Sequence, residues 1–397
     1  MLIGIVGKPS VGKSTFFKAA TLAEVEISSR PFTTINPNEG IGFIRVPCPE
    51  TYFKVKCNPN KGFCIDGERF VPVKLLDVAG LVPGAHEGKG LGNKFLSDLI
   101  QADVLIHIID ASGSINETGE PVEAGSYDPI KDIEFLDKEL DYWFSSMLKE
   151  NWNKFVRQSL QKASDKALAE QFYGFKITLT QITDALKKSG LKEKKLADWS
   201  DDDIFKFAGI VRKLSKPTII AANKIDLPTA KKNIETLREK FPDHLIIPCS
   251  AESELALREA AKNNLIKYIP GDGGFEILRA DKLSDKQKEA LQFIRDKILH
   301  IWDNTGVQKC LNSAVLDFLH HIVIFPGGTK KLGDSKGNIL PDAFIFSPHS
   351  TAFDFAKKIH TDLADNFVAA IDVKTRQKIG RDKELKHLDI IEIITSK

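Results

Sequence analysis

A short glycine-containing segment near the start of the chain constrains the fold more than any other feature. The apolar run Leu2–Val6 leads directly into Gly7–Thr15, whose sequence GKPSVGKST matches the G-x4-G-K-[ST] pattern in full. The pattern predicts a loop between a strand and a helix, where backbone N–H groups and the helix N-terminus converge on phosphate oxygens. Lys13 is expected to reach the β and γ phosphates, and Ser14 to ligate Mg²⁺. We therefore predict a nucleoside triphosphate site.

Further apolar runs predict an α/β fold with a parallel sheet covered by helices. They are continuous rather than alternating, as in strands that are buried on both faces, and helix-forming stretches separate them. The runs are Leu2–Val6, Val71–Leu76, Val104–Ile109, Pro217–Ala222 and His244–Pro248. Because ligands of such sheets bind beyond the carboxyl ends of the strands, the residues after these runs should form the site.

The residues after the second run extend the predicted phosphate site. Asp77 ends the sequence VKLLD, and an aspartate beside a P-loop is expected to hold Mg²⁺ from its outer coordination shell. Gly80 can bring its backbone N–H close to a γ-phosphate. The glycine-rich stretch 81–93 suits a switch loop that the γ-phosphate orders. In the earlier sequence RPFTTINP, either Thr33 or Thr34 can offer a hydroxyl to the same ion.

Two later strand ends predict the base. The sequence NKID follows the fourth run and SAE follows the fifth. The Asp226 carboxylate can accept hydrogen bonds from guanine N1–H and the 2-amino group, whereas adenine has no such pair of donors, so GTP is favoured. Lys224 can lay its stem over the base, Asn223 can tie this loop to the P-loop, and the Ala251 N–H can meet guanine O6. The predicted nucleotide-binding residues are Gly7, Lys8, Pro9, Ser10, Val11, Gly12, Lys13, Ser14, Thr15, Asn223, Lys224, Asp226, Ser250 and Ala251.

The hydrophobic periodicity of the remaining segments predicts that the chain consists of several domains and connecting segments. Charged, helix-periodic stretches interrupt the sheet-forming runs, and the pattern changes to short strands and one helix near the C-terminus. The predicted parts are a split nucleotide-binding domain at 1–127 and 216–275, a helical insertion at 128–215, a helical connector at 276–320 and a small α+β domain at 321–397. In the last part a helix is expected from near Thr351, with Ser350 as its N-cap.

The composition excludes several classes of protein. Lys plus Arg is 56 and Asp plus Glu is 54, a formal charge of +2, so the chain has neither a basic coat for nucleic acid nor an acidic tail. The longest apolar runs fall far short of the roughly 20 residues that span a membrane, and no membrane contact is expected.

The cysteines predict a reducing, cytoplasmic location. There are five, an odd number that does not suit a disulfide framework. Cys48, Cys57 and Cys64 lie close together, yet their spacings of nine and seven lack the C-x2-C pairs typical of zinc sites. The spacing favours free thiols over a metal site.

Three stretches resemble the Obg and YchF-like (Obg-like) family of P-loop GTPases, within the translation-factor class. They are RPFTTINPNEG at 30–40, DVAGLVPGAHEGKGLGNKFL at 77–96 and LPDAFIFSPHSTAFDFAKKIHTDLADNFVAAIDV at 340–373, and the resemblance covers nearly the whole chain. It implies a GTPase with a Rossmann-like parallel sheet, an α-helical insertion ahead of the base-reading loop and a C-terminal TGS domain of β-grasp fold. It also implies that Thr34 is the threonine that ligates Mg²⁺, and that the strand end at Ser250 and Ala251 makes the last guanine contact.

The chain departs from the patterns of related GTPases at three positions. Asp226 stands where YchF proteins that favour ATP have Glu, which points to a GTP-type branch. Ser10 replaces an Asn that helps to hold K⁺ in many relatives, which puts K⁺ stimulation in question. Leu81 stands where Ras-like enzymes have a water-orienting Gln, a trait of this family.

Hydrolysis therefore needs another group to orient water, or is slow until a partner supplies one. His86 is the nearest candidate, since a neutral imidazole can accept a proton from water, although a His that packs or caps within its loop is the alternative. The predicted catalytic residues are Lys13, Thr34, Gly80 and His86, and the residues predicted to hold the metal are Ser14, Thr34 and Asp77.

The resemblance implies a GTPase switch whose GTP or GDP state controls docking on the ribosome or another RNA–protein complex. The run Lys187–Lys195 holds five lysines that could contact phosphates, although the solvated tip of a helical hairpin is the favoured interpretation. Two alternatives are an ATPase of the YchF type and a nucleotide-stabilised scaffold with negligible hydrolysis.

Overall fold

The computed structural model of the chain describes residues 1–22, 39–78, 99–334 and 337–396. The strands of the first sheet are β1 (Leu2–Val6), β2 (Glu39–Pro47), β3 (Phe63–Ile65), β4 (Glu68–Asp77), β5 (Val104–Asp110), β6 (Thr218–Asn223) and β7 (Ile246–Pro248). Strands β4, β1, β5, β6 and β7 run parallel in that order, and β2 and β3 pair antiparallel with β4. Every position of β5 is buried, as expected for a sheet covered on both faces. The predicted α/β fold is confirmed.

The register of this sheet brings the predicted strand ends to one edge. Ile5 of β1 pairs with Asp77 of β4, and Asp110 of β5 pairs with Asn223 of β6. Because these strands are parallel, the loops that leave their carboxyl ends meet on the same side of the sheet.

The helices between these strands include the predicted insertion. In chain order they are α1 (Lys13–Thr21), α2 (Glu50–Phe53), α3 (Ile130–Glu150), α4 (Trp152–Ser159), α5 (Ser164–Phe172), α6 (Leu179–Ser189), α7 (Asp201–Ser215), α8 (Ala230–Lys240) and α9 (Ala251–Lys262). Helices α3 to α7 share one apolar core with Val78, Leu99 and Leu105 of the sheet domain. Arg212 of α7 is buried against α3, where its Nε donates to Asp141 at 2.6 Å.

The lysine-rich run Lys187–Lys195 lies at the end of α6 and in the following turn. Gly190 is the C-cap in a left-handed conformation, and the five lysines are exposed. Lys194 pairs with Asp203 at 2.7 Å. This placement agrees with the favoured interpretation as the solvated end of a helix.

The connector contains helices that widen into π-helical turns. Strand β8 (Ile266–Lys267) precedes the connector and pairs with β9 (Glu276–Ile277) at its start. The helices of the connector are α10 (Asp285–Phe293), α11 (His300–Trp302) and α12 (Val307–Asn312), with π-helical Ile294–Leu299 after α10 and Ser313–Phe318 after α12. The first helix of the predicted connector therefore passes into six π-helical residues after Phe293.

The C-terminal part forms a second, five-stranded sheet. Its elements are β10 (Ile322–Pro326), β11 (Phe344–Phe346), α13 (Ala352–Ile359), α14 (Thr361–Asp365), β12 (Phe367–Asp372), β13 (Lys378–Ile379) and β14 (Ile390–Thr395). The strand order is β11-β10-β14-β12-β13, with β10 and β14 parallel. Val323 and Phe325 of β10 share an apolar core with Val307 and Leu311 of α12 and with the first sheet. The C-terminal part therefore packs directly onto the nucleotide domain.

The prediction of Ser350 as the N-cap of α13 is wrong. Thr351 is the N-cap: its hydroxyl accepts from the Asp354 N–H at 3.3 Å, and the Asp354 carboxylate accepts from the Thr351 N–H at 2.8 Å. This reciprocal capping box needs a side chain with an acceptor oxygen three positions after the cap, such as Asp, Glu or Gln, which Thr351 has in Asp354 and Ser350 lacks. Ser350 instead donates its hydroxyl to the Ser347 carbonyl.

Within the described residues, no helix is both long and apolar enough to cross a membrane.

Candidate nucleotide-binding site

The loop between β1 and α1 packs closely against neighbouring strand ends. Gly12 is the N-cap of α1 with φ 94°, in the left-handed region that favours glycine. A Cβ on Gly12 would lie 2.3 Å from Nδ2 of Asn223, and one on Gly7 would lie 2.5 Å from the Ile108 carbonyl oxygen. Glycine is thus needed at both positions, and the nine-residue helix α1 begins directly after the loop at Lys13.

The side chains predicted for phosphate and Mg²⁺ lie together at this loop. Lys13 Nζ and Asp77 Oδ1 form an ion pair, and both side chains remain partly exposed. Ser14 is exposed in the first turn of α1. The hydroxyl of Ser14 and the carboxylate of Asp77 are the hard oxygen donors that Mg²⁺ prefers. A triphosphate with Mg²⁺ would give each member of the Lys13–Asp77 pair a new partner of opposite charge.

Lys8, predicted as a nucleotide contact, directs its side chain away from the loop. Its buried ammonium donates to Asp132 Oδ1 at 2.9 Å and to the Ile115 carbonyl at 3.0 Å, and lies 3.7 Å from the centre of the Tyr127 ring. Asp132 belongs to α3, the first helix of the insertion. Any contact of Lys8 with a nucleotide must therefore come from its backbone, while its side chain ties the P-loop to the insertion.

We expect Lys8→Met to lower the free energy of unfolding by about 3 kcal/mol at pH 8, because it leaves a buried carboxylate without its cation. Burial already raises the pKa of Asp132. In the Lys8→Met variant the unpaired carboxyl can therefore take up a proton, and the decrease in the free energy of unfolding should be smaller at pH 5 than at pH 8. Urea denaturation at both pH values measures the effect. Lys18→Met is the control: its exposed pair with Glu259 should contribute less than about 1 kcal/mol. Equal losses for the two variants would contradict the role of Lys8.

Asn223 connects the P-loop with the last strand end. Its Nδ2 donates to the Val11 carbonyl at 2.8 Å, and its Oδ1 accepts from the Ala251 N–H at 3.0 Å. The Ala251 N–H, predicted to meet guanine O6, is therefore engaged with Asn223. A contact with O6 requires the base to share or replace this hydrogen bond.

Lys224 is held by a buried aspartate that the sequence analysis missed. Its Nζ lies 3.2 Å from Asp110 Oδ2 and 3.3 Å from Ser114 Oγ. Asp110 is fully buried at the end of β5 and also accepts hydrogen bonds from Ser112 and Ser114. These contacts fix the ammonium and so position the aliphatic stem that is predicted to cover the base.

Asp226 is partly buried beside the last strand end. Its Oδ1 lies 3.5 Å from Ser250 Oγ, and that hydroxyl lies 2.8 Å from Ser253 Oγ. An ionised carboxylate has about four acceptor sites, so this carboxylate has the capacity for the two donors of a guanine edge.

Some of the predicted residues lie outside the described part of the chain. Thr34 falls in residues 23–38, and Gly80, Leu81 and His86 fall in residues 79–98. Their predicted roles stay predictions.

A buried ionic network lies behind the base loop, on the helix that begins at Ala251. Arg258 Nε donates to Glu254 Oε1 at 2.5 Å, and its other nitrogens donate to the Leu22 carbonyl and to Gln308, each at 3.2 Å. The network links α9 to the end of α1 and to α12 of the connector. In the sequence this pair appears only as a Glu-x3-Arg spacing. Because that spacing is common on exposed helices, it does not predict that Glu254 and Arg258 are buried.

Glu254 is the centre of this network. Besides Arg258, it accepts hydrogen bonds from Tyr268 Oη at 2.7 Å and from Thr305 Oγ1 at 2.5 Å. Burial and the adjacent Glu254 charge raise the pKa of Tyr268 well above its usual value, which keeps the phenol protonated as a donor. The Glu254 carboxylate therefore has three donors and is fully buried.

Three sequence models of protein families match successive parts of the chain. Residues 2–139 match a family described as 50S ribosome-binding GTPases. Residues 221–327 match the G4 motif-containing domain of Obg-like GTPases similar to YGR210, and residues 336–395 match the TGS domain.

Curated relatives cover the chain to different extents. An uncharacterised GTP-binding protein of Methanocaldococcus jannaschii is 47% identical over 100% of this chain and 99% of that protein. An uncharacterised GTP-binding protein of Schizosaccharomyces pombe is 39% identical over 82% of this chain and 81% of its own length. Obg-like ATPase 1 of Rattus norvegicus is 32% identical over 67% of this chain and 65% of its own length.

Two solved structures match nearly the whole chain. The crystal structure of a GTP-binding protein from Pyrococcus horikoshii OT3 has a TM-score of 0.78 and 35% identity, with 100% of both chains covered. The YchF GTPase of Schizosaccharomyces pombe has a TM-score of 0.59 and 20% identity, with 99% of this chain and 97% of that chain covered, and supports the fold.

Proposed function

This chain belongs to the Obg-like family of P-loop GTP-binding proteins, and from that premise we propose that it hydrolyses GTP to GDP and phosphate with Mg²⁺ as the cofactor. The preference for guanine is carried by one observation: the partly buried Asp226 carboxylate, in the loop after β6, lies next to Ser250 in the loop after β7. It accepts guanine N1–H and the 2-amino group, while adenine would leave the charge without donors.

At the phosphate end of the site, Lys13 and Asp77 already lie together. Lys13 binds the β and γ phosphates, and the N–H groups of the P-loop and the first turn of α1 add further donors. Ser14, Asp77 and Thr34 hold Mg²⁺, which neutralises charge that develops on the γ-phosphate. The cradle formed by Gly7 and Gly12 supports this assignment, because a Cβ at either position would clash with a neighbouring strand end.

Intrinsic hydrolysis is slow in this proposal. The side chain of Leu81 cannot orient a water molecule, so His86 takes that role and Gly80 contributes its N–H to the γ-phosphate. General-base assistance is worth about 100-fold or more, so His86→Ala should reduce single-turnover GTP hydrolysis by at least that order. An unchanged rate at saturating GTP would remove His86 from the mechanism, without bearing on GTP binding.

The GTP-bound state docks on the ribosome or another RNA–protein complex in this proposal. Support comes from the family matched by residues 2–139, described as 50S ribosome-binding, and from the TGS domain at 336–395. The chain should co-sediment with ribosomes more strongly with a non-hydrolysable GTP analogue than with GDP. Equal co-sedimentation in the two states would contradict a switch, and ribosome binding without hydrolysis would favour a scaffold.

A further inference from the structure

Three cysteines and a glutamate converge at the edge of the first sheet, away from the P-loop. Cys48 follows β2, Glu50 begins α2, Cys57 lies in the following turn, and Cys64 lies in β3. Their sulfur and carboxylate oxygen atoms all lie within 4.8 Å of one another. We propose that Cys48, Glu50, Cys57 and Cys64 bind one structural Zn²⁺ ion.

The distances within this cluster suit a single tetrahedral ion. The sulfur atoms of Cys48 and Cys57 are 3.7 Å apart. A Zn–S bond of about 2.3 Å in a regular tetrahedron separates two sulfurs by about 3.8 Å. A disulfide needs a separation of about 2.05 Å. An iron–sulfur cluster distributes its thiolates over two or more irons, so they cannot all lie as close together as the donor atoms here.

The donor set selects a thiophilic metal. Three thiolates favour Zn²⁺ over Mg²⁺ or Ca²⁺, which prefer oxygen ligands. The fourth donor is Glu50 Oε1, which lies 3.3 Å from Cys64 Sγ. Its other oxygen accepts the Cys57 N–H at 2.8 Å, which orients the carboxylate towards the sulfurs.

A buried arginine lies next to the cluster, which indicates that the cluster carries a negative charge. Arg69 pairs with Cys64 across β3 and β4 and is fully buried. Its Nη2 donates to the Leu340 carbonyl, but its Nε and Nη1 have no hydrogen-bond partner in the part of the chain that the structure describes. A Zn²⁺ ion bound by three thiolates and a carboxylate keeps a net negative charge, and a buried guanidinium offsets part of it.

The site lies where the nucleotide domain meets the C-terminal part. Cys48 and Cys57 pack against Leu340, which is fully buried. The adjacent turn donates hydrogen bonds from Asn58 N to the Ile339 carbonyl at 3.1 Å and from Asn60 N to the Pro341 carbonyl at 2.8 Å. Zinc would therefore fix the turn on which residues 338–341 dock, and its loss would loosen this junction.

Zinc content of the full-length chain, purified under reducing conditions and supplied with Zn²⁺, tests the proposal. We expect about one zinc per chain, a stoichiometry near zero for Cys64→Ser, and an unchanged value for Cys310→Ala, which removes a buried thiol elsewhere. Removal of zinc by a chelator should lower the Tm of the wild type and leave that of Cys64→Ser unchanged.

Cobalt substitution of the wild-type chain tests the proposed metal site even if Cys64→Ser does not fold. Wild-type chain loaded with Co²⁺ should show the thiolate charge-transfer and visible bands of tetrahedral, sulfur-rich coordination. Less than about one tenth of a zinc per chain after reconstitution, together with a Co²⁺ spectrum that lacks thiolate bands, would overturn the proposal. So would iron in place of zinc, or a Cys48–Cys57 disulfide in the reduced, zinc-supplied protein.

Discussion

Asp226→Asn should weaken GTP binding by about 3 kcal/mol, or roughly 100-fold, with little change in the stability of the chain. The substitution replaces a charged acceptor of two hydrogen bonds by a carboxamide, whose NH2 group opposes the 2-amino group of guanine. Because Asp226 is only partly buried and makes one long contact to Ser250, we expect it to contribute to nucleotide binding rather than to the stability of the fold.

The same variant should gain affinity for XTP. Xanthine has an N1–H donor and an oxygen at position 2, which match the carboxamide oxygen and NH2 group of Asn. Isothermal titration with GTP and XTP measures both changes. Asp243→Asn is a matched control, since Asp243 is exposed after α8 and its loss should leave both affinities unchanged. A variant at position 226 that binds GTP as tightly as the wild type would contradict the assignment of the base site.

Glu254→Leu should lower the free energy of unfolding by about 3–5 kcal/mol, because it leaves a buried cation without its carboxylate partner. Arg258 is 2% exposed and cannot shed its charge, so it would remain in the core without its carboxylate. The hydroxyls of Tyr268 and Thr305 would also lose their common acceptor.

Glu259→Leu is the matched control for this loss. Glu259 lies on the same helix, but its pair with Lys18 is exposed, so the change should be below about 1 kcal/mol. Guanidinium denaturation of both variants gives the comparison. Similar losses would show that the buried network does not stabilise the junction of α1, α9 and α12.

The structure brings the loops predicted after β1, β4, β6 and β7 to one edge of the sheet, and the sequence reveals these loops because their constraints are local. The P-loop needs glycine where the chain turns close to other strands, and the predicted strand runs place its partners at the same edge of the sheet. Asp110 and the pair of Lys8 with Asp132 were missed, because their partners lie 114 and 124 residues away and show no shared spacing. Lys8 meets Asp132 only when the first insertion helix packs on the sheet, and Asp110 meets Lys224 only when β5 and β6 lie side by side.

The cysteines and the N-cap of α13 show two other limits of sequence patterns. Cys48, Cys57 and Cys64 lack the spacing of common zinc motifs, yet β2, α2 and β3 bring their sulfurs together. At α13, Ser350 and Thr351 are both good caps by residue type, and the position of Asp354 decides between them.

Nucleotide competition on the full-length chain tests the assignment of a GTP-binding protein most directly. A fluorescent GTP analogue bound in the presence of Mg²⁺ is displaced by unlabelled GTP or ATP. The Asp226 carboxylate predicts that GTP displaces it at concentrations at least about 100-fold lower than ATP. Displacement by ATP at equal or lower concentrations would contradict the guanine site and favour an ATPase.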